Sequence, residues 1–146
     1  MKILKPVVAV VAGLVVWVAA FPLLAILEAQ LWPALGEAAG TYFETQSYAV
    51  FDTAMLASFQ VMWPLTNGAA GLITGLIAKR LTEVWILCGI LFAYFAYNHL
   101  WALWDDLPLW YNLLVVVLVA PFVVGGGLVA ELIRTGRAER DPAAAT

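Results

Sequence analysis

Residues 53–80, TAMLASFQVMWPLTNGAAGLITGLIAKR, decide the fold. The first 26 carry no charge, and the last two are both basic. A helix needs about 20 mostly apolar residues to cross a hydrocarbon core of about 30 Å. Inside lipid, each backbone N–H and C=O must be satisfied within the protein, which favours a helix over any open strand. This run meets both conditions, and it ends on charges that belong at a membrane surface.

Three further runs qualify, at residues 6–27, 84–104 and 107–130. The whole chain agrees with them. Of its 146 residues, 64% are apolar and only 12% charged, against about 25% charged in an average soluble domain. The expected fold is therefore all-α: an integral membrane four-helix bundle over residues 1–134, built as two antiparallel hairpins. Residues 135–146 are expected to form a disordered tail.

Charge sets the orientation. Lys2 and Lys5 precede the first run, Lys79 and Arg80 follow the second, and Arg134, Arg137 and Arg140 follow the fourth. Four spans put all seven on one side. The other side has Glu28, Glu37, Glu44, Asp52, Asp105 and Asp106, with no Lys or Arg. Basic residues stay in the cytoplasm, so both termini are expected there, in a bacterial inner membrane. The basic start followed by apolar residues also has the look of a signal peptide. Its apolar run exceeds the usual h-region of about 7–15 residues and ends on no small-x-small site, so the first span is expected to remain uncleaved.

The connections supply local signals. Thr82 with Glu83 reads as an N-cap and acidic first turn for the third helix. Residues 28–52 form the only long loop. There Leu31 and Trp32, Leu35, Ala38 and Ala39, then Tyr42 and Phe43 recur at helical spacing, with Pro33 suited to a first helical position. A short amphipathic helix at the interface and a plain loop are both open readings.

Small residues mark the packing faces. Gly68, Gly71 and Gly75 share one side of the second span, below Pro64. Gly125, Gly126 and Gly127 follow Pro121 in the fourth. Small residues let helices approach closely where lipid supplies no apolar driving force. Both spans show Pro-x-x-x-Gly before a basic end, which fits either a repeat of two parallel hairpins or chance. The glycine faces are expected to meet each other, the remaining helices, or another subunit.

Two polar groupings stand out. Gln60 and Asn67, seven residues apart, could line a polar stripe on the second span. WALWDDLPLWYN, residues 101–112, holds Asp105 and Asp106 between aromatic residues that favour the headgroup level. Asp106 with Pro108 fits a cap for the fourth helix. A functional reading joins Asn98, His99, Asp52, Asp105 and Asp106 into a cluster for a cation or a proton relay. His99 is the only histidine, and it lies at membrane depth, where ionisable groups are costly. The single cysteine, Cys88, allows neither an intrachain disulfide nor a multi-cysteine metal site.

Several classes lack their residues. The carboxylate that small four-helix multidrug transporters hold within the first span is missing between Lys5 and Glu28. Paired cysteines for thiol exchange and paired histidines for haem are missing too. No basic surface suggests nucleic acid. The expectation is a non-enzymatic membrane protein without cofactor or metal, an accessory or assembly subunit packing through its glycine faces. Its expected partners are the bilayer and either further copies of itself or another membrane protein. The alternative is a small oligomeric transporter or channel for protons or cations.

Overall fold

The computed structural model describes residues 4–140. Five α-helices follow in order, α1 (Leu4–Leu31), α2 (Pro33–Thr45), α3 (Thr53–Ala78), α4 (Leu81–Tyr97) and α5 (Leu109–Arg140). A 3-10 turn, Tyr48–Val50, precedes α3, and a π-turn, Asn98–Ala102, extends α4. No strand occurs among the described residues. Four helices are long and apolar enough to cross a membrane: α1, α3, α4 with its π-turn, and α5.

The bundle is apolar outside as well as inside. Leu23, Trp101 and Leu132 are each about two-thirds exposed or more. In water such a surface would aggregate; against lipid it needs no cover. The buried groups include small and polar residues, as expected where helices are held by close packing and hydrogen bonds.

α3 is the central helix, touching α1, α4 and α5. Its largest interface is with α5. Gly71 lies against the Val123 backbone, Gly126 against the Gly68 backbone, and Gly75 against Gly127 and Ala130. Residue numbers rise together along this seam, so α3 and α5 run the same way. Against α1 the order reverses: Ala9 and Gly13 meet Thr74, and Trp17 and Phe21 meet Trp63. The Thr74 hydroxyl donates to the Ala9 carbonyl at 3.3 Å. Val84 meets Gly127 and His99 meets Asn112, so α4 and α5 run opposite ways.

The second span matches its expected bounds, with Asp52 as N-cap: its Oδ1 accepts from the Met55 N–H at 2.9 Å. Elsewhere the boundaries move. The third helix begins at Leu81 with Arg80 as its N-cap residue, which places Thr82 inside the first turn rather than at the cap. It ends in the π-turn, where the Leu103 N–H donates to the Asn98 carbonyl at 2.7 Å. The fourth begins at Leu109, two residues later than expected. Pro108 is the reason: proline drives the residue before it out of the helical region. The Pro108 carbonyl accepts the first bonds, from Tyr111 and Asn112. Asp106 is therefore not the cap.

α5 continues to Arg140, so residues 135–140 belong to the helix rather than to a disordered tail. Thr135 does not break it, because its hydroxyl donates back to the Glu131 and Leu132 carbonyls. Residues 141–146 of the expected tail lie outside the described residues. In the long loop a helix does form, with Pro33 as its first residue. It is set off by the non-helical Trp32 before it and left-handed Gln46 (φ 56°) after it.

Candidate functional site

The acidic ends of the helices do not close on one another. They surround a cavity of about 390 Å³, within the ~300–1,000 Å³ usual for small-molecule sites. Every element contributes to it. α2 turns its apolar face inward, with Leu35, Ala39, Tyr42 and Phe43 on the wall. Phe21 and Ala25 come from α1, Phe59 and Trp63 from α3, and Tyr48 and Phe51 from the segment between α2 and α3. Tyr94, Phe95, Asn98 and His99 line the side formed by α4 and its π-turn, and Tyr111 that of α5.

Aromatic contacts hold the wall together. Phe21 stacks on Trp63 with centroids 4.1 Å apart, and Trp63 meets Phe95 edge-on at 5.1 Å. Phe95 stacks on His99 at 6.0 Å, and His99 faces Tyr111 at 5.8 Å. The Trp63 indole donates to the Tyr111 hydroxyl at 3.2 Å. Such pairs contribute about 0.5–1.5 kcal/mol each beyond their burial. The floor of the cavity is therefore stiff. Its cover is less tied down: α2 packs chiefly on α1 and the 3-10 turn, and the Tyr42 hydroxyl donates to that of Tyr48 at 3.0 Å.

His99 is buried, and its Nδ1 lies 3.0 Å from Asn112 Oδ1. The Asn112 amide decides which nitrogen carries the proton. Its Nδ2 faces three carbonyls, those of Leu103, Trp104 and Leu107, at 3.3–3.4 Å. Only the NH2 end can face acceptors, so Oδ1 faces the ring and accepts a proton from it. Neutral His99 is thus the Nδ1–H tautomer, and Nε2 keeps its lone pair. Nε2 has no hydrogen-bond partner among the described residues. Asn112 also ties the turn between α4 and α5 together.

The Tyr48 phenol is pushed well above the usual range, first by burial, then by its contact with Tyr42 and the nearby charge of Asp106. It stays neutral at any physiological pH.

The expected polar cluster is only partly assembled. Asn98 and His99 share the cavity wall, but Asn98 donates to the Tyr94 carbonyl. Asp52 is an exposed helix cap. Asp105 and Asp106 are exposed in the turn. The helix that would have carried Asp106 onto the His99 face stops at Ala102. Among the described residues, no three His, Cys, Asp or Glu side chains lie together as metal ligands would.

Gln60 donates to the Tyr111 carbonyl at 3.2 Å and leaves its Oε1 buried without a partner. Asn67 is 1% exposed, and both ends of its amide lack partners. Four of the six candidate packing glycines, Gly71, Gly75, Gly126 and Gly127, are spent inside the chain. Gly68 and Gly125, with Pro64 and Pro121, border an open groove between α3 and α5.

Asn112 was the residue that sequence reasoning passed over. The signal was present, since it is the only amide in the fourth apolar run. Its thirteen-residue separation from His99 crosses a turn whose geometry the sequence does not give.

No protein family model matches the chain, and no curated protein or solved structure matches it.

Proposed function

We propose that this chain is a small multi-pass protein of a bacterial inner membrane that works by binding, not catalysis. It holds an apolar ligand in the cavity beneath α2, as an accessory subunit beside further copies of itself or another membrane protein. The observation that carries this reading is the cavity itself. It has the volume of a small-molecule site, is walled by aromatic rings, and is furnished with a few fixed polar groups.

In this reading α1 with α3 and α4 with α5 form two antiparallel hairpins, and both termini are cytoplasmic. The seven basic residues on one side support that orientation. A cysteine placed at Ser47 should react with an impermeant reagent from outside intact cells; protection there with reaction from the cytoplasm would reverse it. The glycine faces support association less than their number suggests, because most are occupied within the chain.

A lipid-soluble aryl diazirine tests the binding reading. Photolysis in nanodiscs should label the α2 and α4 cavity residues. Ala39→Trp, which fills the space, should abolish that labelling. Labelling confined to the lipid-facing residues, unchanged by Ala39→Trp, would remove the reading.

A second reading, a small oligomeric transporter for protons or cations, rests on Asn67, both ends of whose buried amide lack partners, and on Gln60, whose Oε1 lacks one. Its signature is flux into liposomes that falls in Asn67→Leu. A folded protein with no flux would end it.

A further inference from the structure

The cavity contains one polar atom whose hydrogen-bonding character is fixed by the fold. Three backbone carbonyls orient Asn112, Asn112 takes the Nδ1 proton of His99, and Nε2 is left as a lone-pair acceptor. It belongs to a residue 6% exposed that lines the cavity. Nε2 itself is not sealed off within the protein, so a bound molecule can reach it. A ligand that donates a hydrogen bond pairs with this lone pair, whereas one that only accepts does not.

The walls narrow the choice further. Phe21, Trp63, Phe95 and Tyr111 all line the cavity, so its wall is largely aromatic. Aromatic pairs favour offset and edge-to-face contact, so a flat ring fits such walls better than a saturated one. Tyr48 adds a second polar partner on the same cavity. Its hydroxyl, 3.0 Å from that of Tyr42, can donate or accept.

We infer that the cavity takes a lipid-soluble phenol or hydroquinone, with a ring hydroxyl donating to His99 Nε2 and the ring packed against the aromatic wall. The inference rests on the binding reading above and adds the chemical class of the ligand. It requires no reaction. His99 acts as a hydrogen-bond acceptor that selects hydroxyl over ether.

The test compares three compounds with the same hexyl chain: 4-hexylphenol, 4-hexylanisole and 4-hexylcyclohexanol. Each competes with the aryl diazirine for wild-type protein in nanodiscs. Concentrations are corrected for partition into protein-free discs. The phenol should protect the cavity residues at about tenfold lower membrane concentration than the anisole, the effect of one well-made hydrogen bond in a buried site. The cyclohexanol should fall short of the phenol. In His99→Phe the preference for phenol over anisole should vanish.

Equal protection by phenol and anisole would overturn the inference and leave the binding reading standing. A cyclohexanol as effective as the phenol would overturn the aromatic assignment. No protection by any of the three, with no cavity labelling to protect, would overturn both. A preference unchanged in His99→Phe would also overturn the inference. Should that variant not fold, the wild-type comparison decides alone.

Discussion

At the scale of single residues, His99 and Asn112 set the polar character of the cavity. A lone histidine at membrane depth was legible as a feature. Its partner was not, because the π-turn that aims His99 at α5 has no sequence signature comparable to a cap or a proline. Because His99 is the only histidine, nitrogen-15 labelling of histidine gives one pair of ring signals. They should show a protonated Nδ1 and an unprotonated Nε2 at neutral pH; an Nε2–H tautomer would contradict the Asn112 orientation. Tyr48 offers a pH test. Its folded value lies above the ordinary 10.0, so the fold favours the neutral phenol. That contribution is fully present below 10.0 and is lost as pH rises through the raised value. In an ultraviolet titration, Tyr48→Phe should leave the phenolate step near 10.0 unchanged and trim only the most alkaline one. A smaller step near 10.0 would mean that Tyr48 titrates as an exposed phenol.

Among the elements, the seam between α3 and α5 carries the fold. Glycine spacing made a close approach legible, but spacing alone does not say which surface approaches. Gly68, Gly71 and Gly75 could equally have faced a second subunit. The structure turns most of this face onto α5, where carbonyls rather than side chains are the near neighbours. A methyl group at Gly71 or Gly126 would run into the backbone of the facing helix, which cannot rotate away. Gly71→Ala or Gly126→Ala should therefore destabilise the protein by about 1–3 kcal/mol. Gly125 meets nothing within 4 Å, so Gly125→Ala should be neutral or stabilising by up to about 1 kcal/mol, from helix propensity. Denaturation in mixed micelles would rank the three; equal loss in all would mean that the seam is not packed this way. The bounds of α3 were readable because Asp52 caps one end and charge follows the other. α5 was misjudged at both ends: Pro108 delays its start, and Thr135 bonds back to the helix instead of ending it.

Taken whole, the molecule is a bundle tight at its basic end and open at its acidic end. Length, composition and the one-sided placement of Lys and Arg made the four long helices legible, since the bilayer permits so few alternatives. The cavity was not legible. It arises because α2 folds back and the aromatic residues of six segments converge, a long-range arrangement that local spacing does not encode. Tyr111 looks in sequence like any interfacial aromatic residue, and Trp63 like any aromatic within a span; only their shared hydrogen bond reveals a wall. The most direct test of the account is native mass spectrometry of the protein ejected from nanodiscs formed from its own membrane. A small apolar molecule should remain bound, one per chain, and be absent from Ala39→Trp prepared in the same way. A bare chain in both preparations, under conditions that retain lipids on other membrane proteins, would contradict the claim that the cavity is a binding site.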